Sequence, residues 1–207
     1  MGAAGTTIDT SPATTSTGTF GATGFGTPLY GWNFTVPAAM TQLESVEFWL
    51  NGQTTLSYTA NVCSFTGTAC AGAALWSSAT LSGTGTGNLD LVTVNPALGV
   101  TPGQSLLFYL FASGGQGTGR LGVNGPGDDA AGNAFWFLNG VIPTAAWTGT
   151  FLDGSPIAAI EIFSGSGGGG CTANCGGGGN GGNDVPEPAT FALIAASLAA
   201  GFFNRRK

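Results

Sequence analysis

Apolar and polar residues alternate along two neighbouring stretches of this chain, and the alternation restricts the fold more than any other feature. The apolar members are Tyr30, Trp32, Phe34 and Val36 in the first stretch, and Val46, Phe48 and Leu50 in the second. A period of two places such residues on one face of a β-strand. The second stretch ends at Asn51-Gly52, a pair typical of tight hairpin turns, and the alternation resumes over residues 56–62. The pattern therefore predicts a half-buried strand followed by a β-hairpin.

Further short apolar runs follow at regular spacing and are separated by turn-forming pairs such as Asn139-Gly140. The candidate strands cover residues 74–78, 89–94, 105–112, 134–138 and 157–163. Residues 106–111 are apolar on both faces, which predicts a central strand that is covered on both sides. The expected fold class is all-β, an antiparallel β-sandwich of jelly-roll type covering residues 20–163. Its core is expected to contain Trp32, Phe34, Phe48, Phe108, Phe135 and Phe137.

Charged residues are scarce and unevenly placed. They make up 7% of the chain, so a long amphipathic helix would have few residues for its polar face. The formal net charge is −6, and the basic residues are Arg120 in the body and Arg205, Arg206 and Lys207 at the end. A nucleic-acid partner needs a basic patch that neutralises phosphates, and Arg120 alone cannot form one. We therefore expect few helices and no nucleic-acid binding.

The chain has no histidine, the commonest general base and the commonest transition-metal ligand. Its four cysteines form two close pairs, Cys63 with Cys70 and Cys171 with Cys175. Such pairs are typical of local disulfides in an oxidising compartment, although four cysteines allow three connectivities. A four-thiolate zinc site is the alternative, but the spacing differs from paired CxxC knuckles. The two cysteine pairs are therefore candidates for disulfides, and we expect no cofactor and no bound metal.

The carboxylates give little support to an enzyme. A glycosidase needs two carboxyl groups about 5 to 10 Å apart, and Asp90 with Glu161 is one pair that the fold would have to bring together. Asp128 and Asp129 lie in a Gly-Pro-Gly turn and offer oxygen ligands for calcium. Isolated acidic turns are usually just solvated. The body is therefore predicted to be non-catalytic.

The tryptophans offer one functional alternative. Trp49 and Trp136 alternate with the predicted core residues beside them, so their side chains are expected to lie on the opposite face of the strand, away from the core. Outward-facing aromatic rings form platforms on which sugar rings stack. A carbohydrate-binding role is thus kept beside the default, in which the tryptophans, including Trp76 and Trp147, simply fill the core.

Two low-complexity segments flank the predicted sandwich. Residues 1–19 are small and polar and lack the basic and apolar regions of a secretory signal peptide, so we expect the natural chain to begin upstream. Residues 164–183 are nearly all glycine and serine, a composition that does not bury enough apolar surface to fold. As a random coil, this linker would span about 25 Å.

The last segment, residues 184–207, has three parts in a fixed order. Val185, Pro186, Glu187 and Pro188 come first, then the uncharged stretch 189–203, then the basic end at Arg205, Arg206 and Lys207. The prolines hold the backbone extended, and the terminal cations favour the cytoplasmic side of a membrane. The uncharged stretch predicts one short C-terminal hydrophobic helix in the membrane. At about 22 Å it falls short of the roughly 30 Å hydrocarbon core, a gap that local thinning of the bilayer or snorkelling by the basic tail would close.

This order resembles the PEP-CTERM sorting signal, and residues 185–188 match its VPEP form. The resemblance implies export in a Gram-negative, exopolysaccharide-forming bacterium and processing by exosortase, a membrane cysteine protease. It also implies that the protein is membrane-anchored before processing and then resides at the cell surface or in the extracellular matrix. Residues 34–50 and 133–139 resemble, more weakly, the variable ectodomains that precede such signals, which implies a β-sandwich.

The function expected from the sequence is therefore a non-catalytic structural role at the bacterial surface or in a biofilm matrix. The alternative is a carbohydrate-binding module that recognises exopolysaccharide through Trp49 or Trp136. Exposure of these two side chains is the observation that separates the alternatives.

Overall fold

The computed structural model describes residues 5–114, 116–124, 135–149 and 157–165. These residues form an all-β structure with two antiparallel sheets, as the sequence predicts. Contacts divide the chain into two compact units, Met1–Gly170 and Cys171–Lys207, and every described residue belongs to the first. The predicted linker beyond residue 165 and the predicted C-terminal helix lie outside the described residues.

The first sheet has eight strands. They are β1 (Thr6–Asp9), β2 (Thr15–Ser16), β3 (Phe20–Gly21), β5 (Gln42–Gly52), β9 (Asp90–Val94), β10 (Leu98–Gly99), β12 (Thr118–Val123) and β15 (Ala159–Ser164). Strand β5 is the longest and lies in the middle of the sheet. Phe48 pairs with Ala159 of β15 on one side and with Val92 of β9 on the other. Strand β12 pairs with the C-terminal end of β5, where Leu121 lies opposite Leu50.

The second sheet has seven strands. They are β4 (Leu29–Thr35), β6 (Ser57–Ser64), β7 (Trp76–Ser77), β8 (Leu81–Ser82), β11 (Ser105–Gly114), β13 (Phe135–Leu138) and β14 (Thr148–Gly149). Strand β11 lies between β4 and β6, and Leu106 to Leu110 are all buried. The predicted central strand is therefore confirmed.

The predicted hairpin is wrong, because its two strands belong to different sheets. Strand β5 pairs within the first sheet and β6 within the second, so the chain crosses the sandwich between Gly52 and Ser57. A Cβ atom at Gly52 would lie 2.9 Å from the Cα of Gly83. Glycine is required here by the close approach of the 83–85 loop and not by a hairpin turn. Gln53, just beyond it, accepts a hydrogen bond from the backbone N–H of Thr118 over 3.1 Å.

Aromatic rings from both sheets meet in the space between them. The Trp32 ring lies 6.0 Å from Phe48 and 4.5 Å from Phe108, measured between centroids, and Phe34 lies 5.9 Å from Phe163. Because Trp32 and Phe34 come from the second sheet and Phe48 and Phe163 from the first, these contacts hold the layers together. Burial is confirmed for Trp32, Phe34, Phe48, Phe108 and Phe135, whereas Phe137 is only partly buried.

Among the described residues, one carboxyl side chain lies inside this core. Glu161 on β15 is fully buried, and its Oε1 accepts a hydrogen bond of 2.6 Å from the indole Nε1 of Trp32. The bond joins the two sheets across the interior. A buried polar group needs a partner of this kind, since leaving it unsatisfied costs free energy.

A second apolar cluster covers the outer face of the second sheet. Its buried members are Leu29, Cys63, Phe65, Cys70, Leu107, Tyr109 and Trp147. The loops that cover this face are fastened by backbone bonds, from Trp147 N–H to the Thr68 carbonyl and from Cys70 N–H to the Pro143 carbonyl. The cluster explains why β11 is apolar on both faces.

A disulfide closes the first of these loops. Cys63 and Cys70 are bonded, with their Cα atoms 5.7 Å apart. This confirms the first candidate pair, while Cys171 and Cys175 lie outside the described residues. Structural disulfides are typical of oxidising compartments.

Replacing Cys63 and Cys70 by alanine is expected to lower the free energy of unfolding by about 2–3 kcal/mol. A crosslink between residues seven apart restricts the unfolded chain by about this amount. The measurement is urea denaturation of the double variant, with the unaltered protein under reducing conditions as the matched control. Equal midpoints for the oxidised protein and the variant would show that the crosslink does not stabilise the fold.

The sandwich begins before the predicted boundary at residue 20. Strand β1 pairs with β15, with Ile8 opposite Glu161, and β2 pairs with β12. Thr10 is buried and donates its hydroxyl to the Ile157 carbonyl over 2.6 Å. A single apolar residue, Ile8, gives the sequence of β1 too little alternation to be recognised as a strand.

All three tyrosines of the chain are buried, which makes the fold sensitive to alkali. Burial raises the pKa of Tyr58 to about 12, and it also raises the pKa values of Tyr30 and Tyr109. A raised folded-state pKa contributes stability below the unfolded value near 10, and this is lost as pH rises through 12. We expect tyrosinate absorbance to appear together with loss of β-structure in this range. Tyr58→Phe is expected to move the transition to higher pH, and free titration of native protein at pH 10 would contradict the prediction.

Candidate functional site

The solvent face of the first sheet is built by the alternation along β5. Val46, Phe48 and Leu50 point into the core and are at most 2% exposed. Residues between them point the other way, and Trp49 is accordingly half-buried on the solvent face. The sequence prediction that Trp49 faces away from the core agrees with this placement.

Trp49 lies in an apolar surface strip. Leu91 on β9 is its direct cross-strand partner and is 52% exposed. On the other side, a Cβ atom at Gly122 would lie 2.9 Å from the Trp49 Cβ. An exposed leucine beside a half-buried indole forms a small apolar surface.

A polar groove adjoins this strip where β5 ends. Its volume is about 190 Å³, and its lining residues are Thr19, Asn51, Gln53, Thr118, Gly119 and Arg120. Asn51 and Arg120 are cross-strand partners. Because Trp49 precedes Asn51 by two residues, its side chain lies on the same face. Trp49 and Arg120 are thus diagonal neighbours, about 7–8 Å apart in such a sheet.

Hydrogen bonds fix the walls of the groove. The Gln53 N–H donates to the Thr118 carbonyl over 2.9 Å, and the Thr118 N–H donates to the Gln53 Oε1. The Asn51 Nδ2 donates to the Gly87 carbonyl over 2.7 Å. These bonds hold both polar walls before any ligand arrives, which reduces the ordering cost of binding.

The solvent face of the first sheet carries charges of both signs. Arg120 is exposed, and its guanidinium presents several hydrogen-bond donors in a fixed fork. Its charge acts on Tyr30, whose pKa is nevertheless raised because burial outweighs the Thr27 hydrogen bond and the arginine. Glu47, two residues before Trp49, supplies a carboxylate on the same face.

Trp136 lies on the outer face of the second sheet, away from Trp49. Its Nε1 donates to the Asn33 Oδ1 over 2.7 Å, and its ring packs edge-on against Phe65 at 5.0 Å. Its cross-strand partner is Gly31. The structure therefore does not bring the two predicted platform residues together, and Trp136 is held by packing on the second cluster.

The two carboxylates considered for a glycosidase are not brought together. Asp90 lies near the surface, where the Thr84 and Thr86 hydroxyls donate to it and lower the pKa of its carboxyl. Glu161 is buried in the core. Asp90 is paired with Leu50 and Glu161 with Val46, on opposite sides of β5. Two strand spacings across the sheet and four residues along it therefore separate their backbones by about 17 Å. In the part of the chain that the structure describes, no group of three or more metal-ligating side chains is found. Asp128 and Asp129 lie outside it.

Sequence reasoning missed the polar half of the groove. Asn51 was interpreted as a turn residue, and Arg120 was noted only as the one cation of the body. Their proximity depends on the pairing of β5 with β12, which no local pattern specifies. The isolated position of Arg120 among acidic residues was the one signal that marked it.

The sorting residues Val185, Pro186, Glu187 and Pro188 and the basic end at Arg205, Arg206 and Lys207 lie outside the described residues. Within the described ranges, no helix is long and apolar enough to cross a membrane.

Comparison with known proteins identifies the C-terminal segment. A family model for the PEP-CTERM protein-sorting motif matches residues 184–207, which confirms the resemblance. This motif implies an exported protein that is sorted through exosortase and is membrane-anchored before processing.

Other comparisons add little. No curated protein matches the chain. Among solved structures, the chain is similar to the cysteine protease and lectin-like domains of Cwp84, a surface layer associated protein of Clostridium difficile, with a TM-score of 0.45 and 10% identity. The match covers 67% of this chain and 32% of that chain, so the present chain spans about a third of its length.

Proposed function

We propose that this protein is a non-catalytic structural component of the outer surface or extracellular matrix of a Gram-negative bacterium. The observation that carries the proposal is the sorting motif at residues 184–207, placed after a β-sandwich and a glycine-rich segment. The disulfide between Cys63 and Cys70 supports an oxidising compartment. In this proposal exosortase processes the chain near Pro188, and the sandwich is then released or retained outside the cell.

The test is the intact mass and cell fractionation of the protein, expressed with its upstream coding region in hosts with and without exosortase. We expect the host with exosortase to yield a shortened product that lacks the segment after Pro188. The host without it should keep the full chain in the membrane fraction. A full-length product in the soluble fraction of both hosts would refute sorting and anchoring together.

A second candidate function is a carbohydrate-binding module for exopolysaccharide. It is favoured by the half-buried indole of Trp49, which lies on the solvent face beside an exposed leucine and a polar groove. An aromatic surface next to a few fixed polar groups is the arrangement typical of small-ligand sites. This candidate is compatible with the first, because a matrix protein that binds the surrounding polymer would be retained by it.

A further inference from the structure

We propose that the solvent face of the first sheet binds one pyranose residue of a neutral polysaccharide, with the sugar ring on Trp49 and Leu91 and its hydroxyls on Asn51 and Arg120. The proposal rests on the second candidate function and gives that function a site and a ligand class.

The apolar half of the site suits the C–H face of a sugar ring. Trp49 and Leu91 are direct cross-strand partners, so their side chains lie side by side on one surface. Leu91 is 52% exposed, which leaves apolar area uncovered. A pyranose ring presents C–H groups on one face, and these pack against an aromatic ring without loss of hydrogen bonds. Burial of this strip therefore favours binding.

The polar half supplies directed hydrogen bonds next to that strip. Arg120 is exposed and its guanidinium donates to hydroxyl oxygens. The amide of Asn51 is fixed by its bond to the Gly87 carbonyl, and the groove wall at Gln53 is fixed by Thr118. Sugar hydroxyls both donate and accept, so one ring edge can engage these groups while its C–H face lies on Trp49.

The size of the groove limits the ligand. Its volume of about 190 Å³ is below the roughly 300–1,000 Å³ of sites for drug-sized ligands. It lies open at the end of β5, beside the apolar strip. One sugar residue of a longer chain fits this geometry, with its neighbours extending along the sheet.

The charge of the sandwich favours a neutral polymer over an acidic one. In residues 1–170 a single cation faces eight carboxylates, which are Asp9, Glu44, Glu47, Asp90, Asp128, Asp129, Asp153 and Glu161. The resulting negative potential repels polyuronates. Glu47 lies on the same face as Trp49, where a carboxylate accepts hydrogen bonds from neutral hydroxyls. Binding is therefore expected to depend little on salt.

The experiment titrates the full chain, kept in a detergent without a sugar headgroup, with neutral oligosaccharides and with alginate oligosaccharides. The neutral probes are the hexaoses of cellulose, laminarin, starch and mannan, and binding is measured by calorimetry. We expect at least one neutral hexaose to bind. Trp49→Ala is expected to weaken that binding about tenfold or more, and Arg120→Ala about fivefold.

Two control variants separate binding from folding. Trp49→Phe keeps an aromatic ring and is expected to retain most of the affinity, while Trp136→Ala removes the tryptophan of the other sheet and is expected to leave affinity unchanged. Thermal melts of each variant check that the sandwich is intact.

Each remaining outcome overturns the proposal in a distinct way. Binding that survives Trp49→Ala would leave the carbohydrate-binding function standing but place its site elsewhere. Salt-sensitive binding of alginate alone would refute the neutral ligand class. No binding of any probe would refute both the site and the second candidate function. The proposal that exosortase sorts the protein would be unaffected, since the fractionation experiment tests it separately.

Discussion

Replacing Trp32 by alanine is expected to remove a large part of the stability of the sandwich. Truncating a buried tryptophan typically costs about 3–5 kcal/mol, and domains of this kind are stable by roughly 5–15 kcal/mol. The variant should unfold at a much lower urea concentration than the unaltered protein, or fail to fold at physiological temperature.

The expected loss has two physical causes. Trp32 is fully buried and packs against the rings of both Phe48 and Phe108, so its removal leaves a cavity. Its indole N–H is also a hydrogen-bond donor to the buried carboxyl of Glu161, over 2.6 Å. Without that donor, the buried carboxyl of Glu161 has one hydrogen bond fewer, and it cannot replace that bond with one to water.

Matched variants separate the two causes. Trp32→Phe retains most of the ring volume and removes only the donor, so it should be less destabilised than Trp32→Ala. Glu161→Gln retains an acceptor for the indole and should also lose less than Trp32→Ala. Urea denaturation followed by tryptophan fluorescence and circular dichroism gives the midpoints. A Trp32→Ala midpoint equal to that of the unaltered protein would contradict the central position of this residue.

The sequence was most informative where strands are long and alternate clearly. The prediction of a strand over residues 30–36 differs from β4, Leu29–Thr35, by one residue at each end. Residues 106–111 were correctly predicted to form a central strand, because a strand whose two faces are both covered has no face of polar residues. In both cases, the pattern alone determines which face is buried.

Strand partners were not predictable in the same way. Alternation along β5 shows which side chains point inward, but it does not show that β6 crosses to the other sheet. The partner of β5 that supplies Glu161 lies more than a hundred residues away in the sequence. Pairings between strands so far apart in the sequence are not encoded in any local pattern. The local pattern at Asn51-Gly52 therefore predicts a hairpin turn that the structure does not contain.

The same limit explains what was found and missed at the candidate site. Trp49 was predicted to face outward from its phase along β5, and it does. Its neighbours Leu91 and Arg120 come from β9 and β12, and only the pairing register places them beside it. A site assembled from three strands that are distant in the sequence leaves no contiguous motif. The sorting segment is contiguous, and the motif could therefore be predicted from the sequence, as the family match at residues 184–207 confirms.

Replacing Glu187 by alanine is expected to abolish most exosortase-dependent processing while leaving the sandwich unchanged. Proline disfavours helix at its own position and at the residue before it, so the sequence Pro186-Glu187-Pro188 is expected to be accessible to a processing enzyme. No other charged residue lies between Asp184 and Arg205. The carboxylate of Glu187 is therefore the one charged group in this stretch that an enzyme could recognise, and the alanine substitution removes it.

The measurement compares the ratio of processed to full-length protein, by intact mass, in a host that has exosortase. Asp184→Asn is the matched control, since it removes a neighbouring carboxylate outside the Val-Pro-Glu-Pro sequence and should be processed normally. Equal melting temperatures for both variants are expected, because the motif at residues 184–207 lies outside the residues that form the described sandwich. If Glu187→Ala were processed as well as Asp184→Asn, the enzyme would recognise the apolar stretch or the basic end instead. If both variants melted early, the C-terminal segment would contribute to the stability of the fold, and a purely sorting role for it would be wrong.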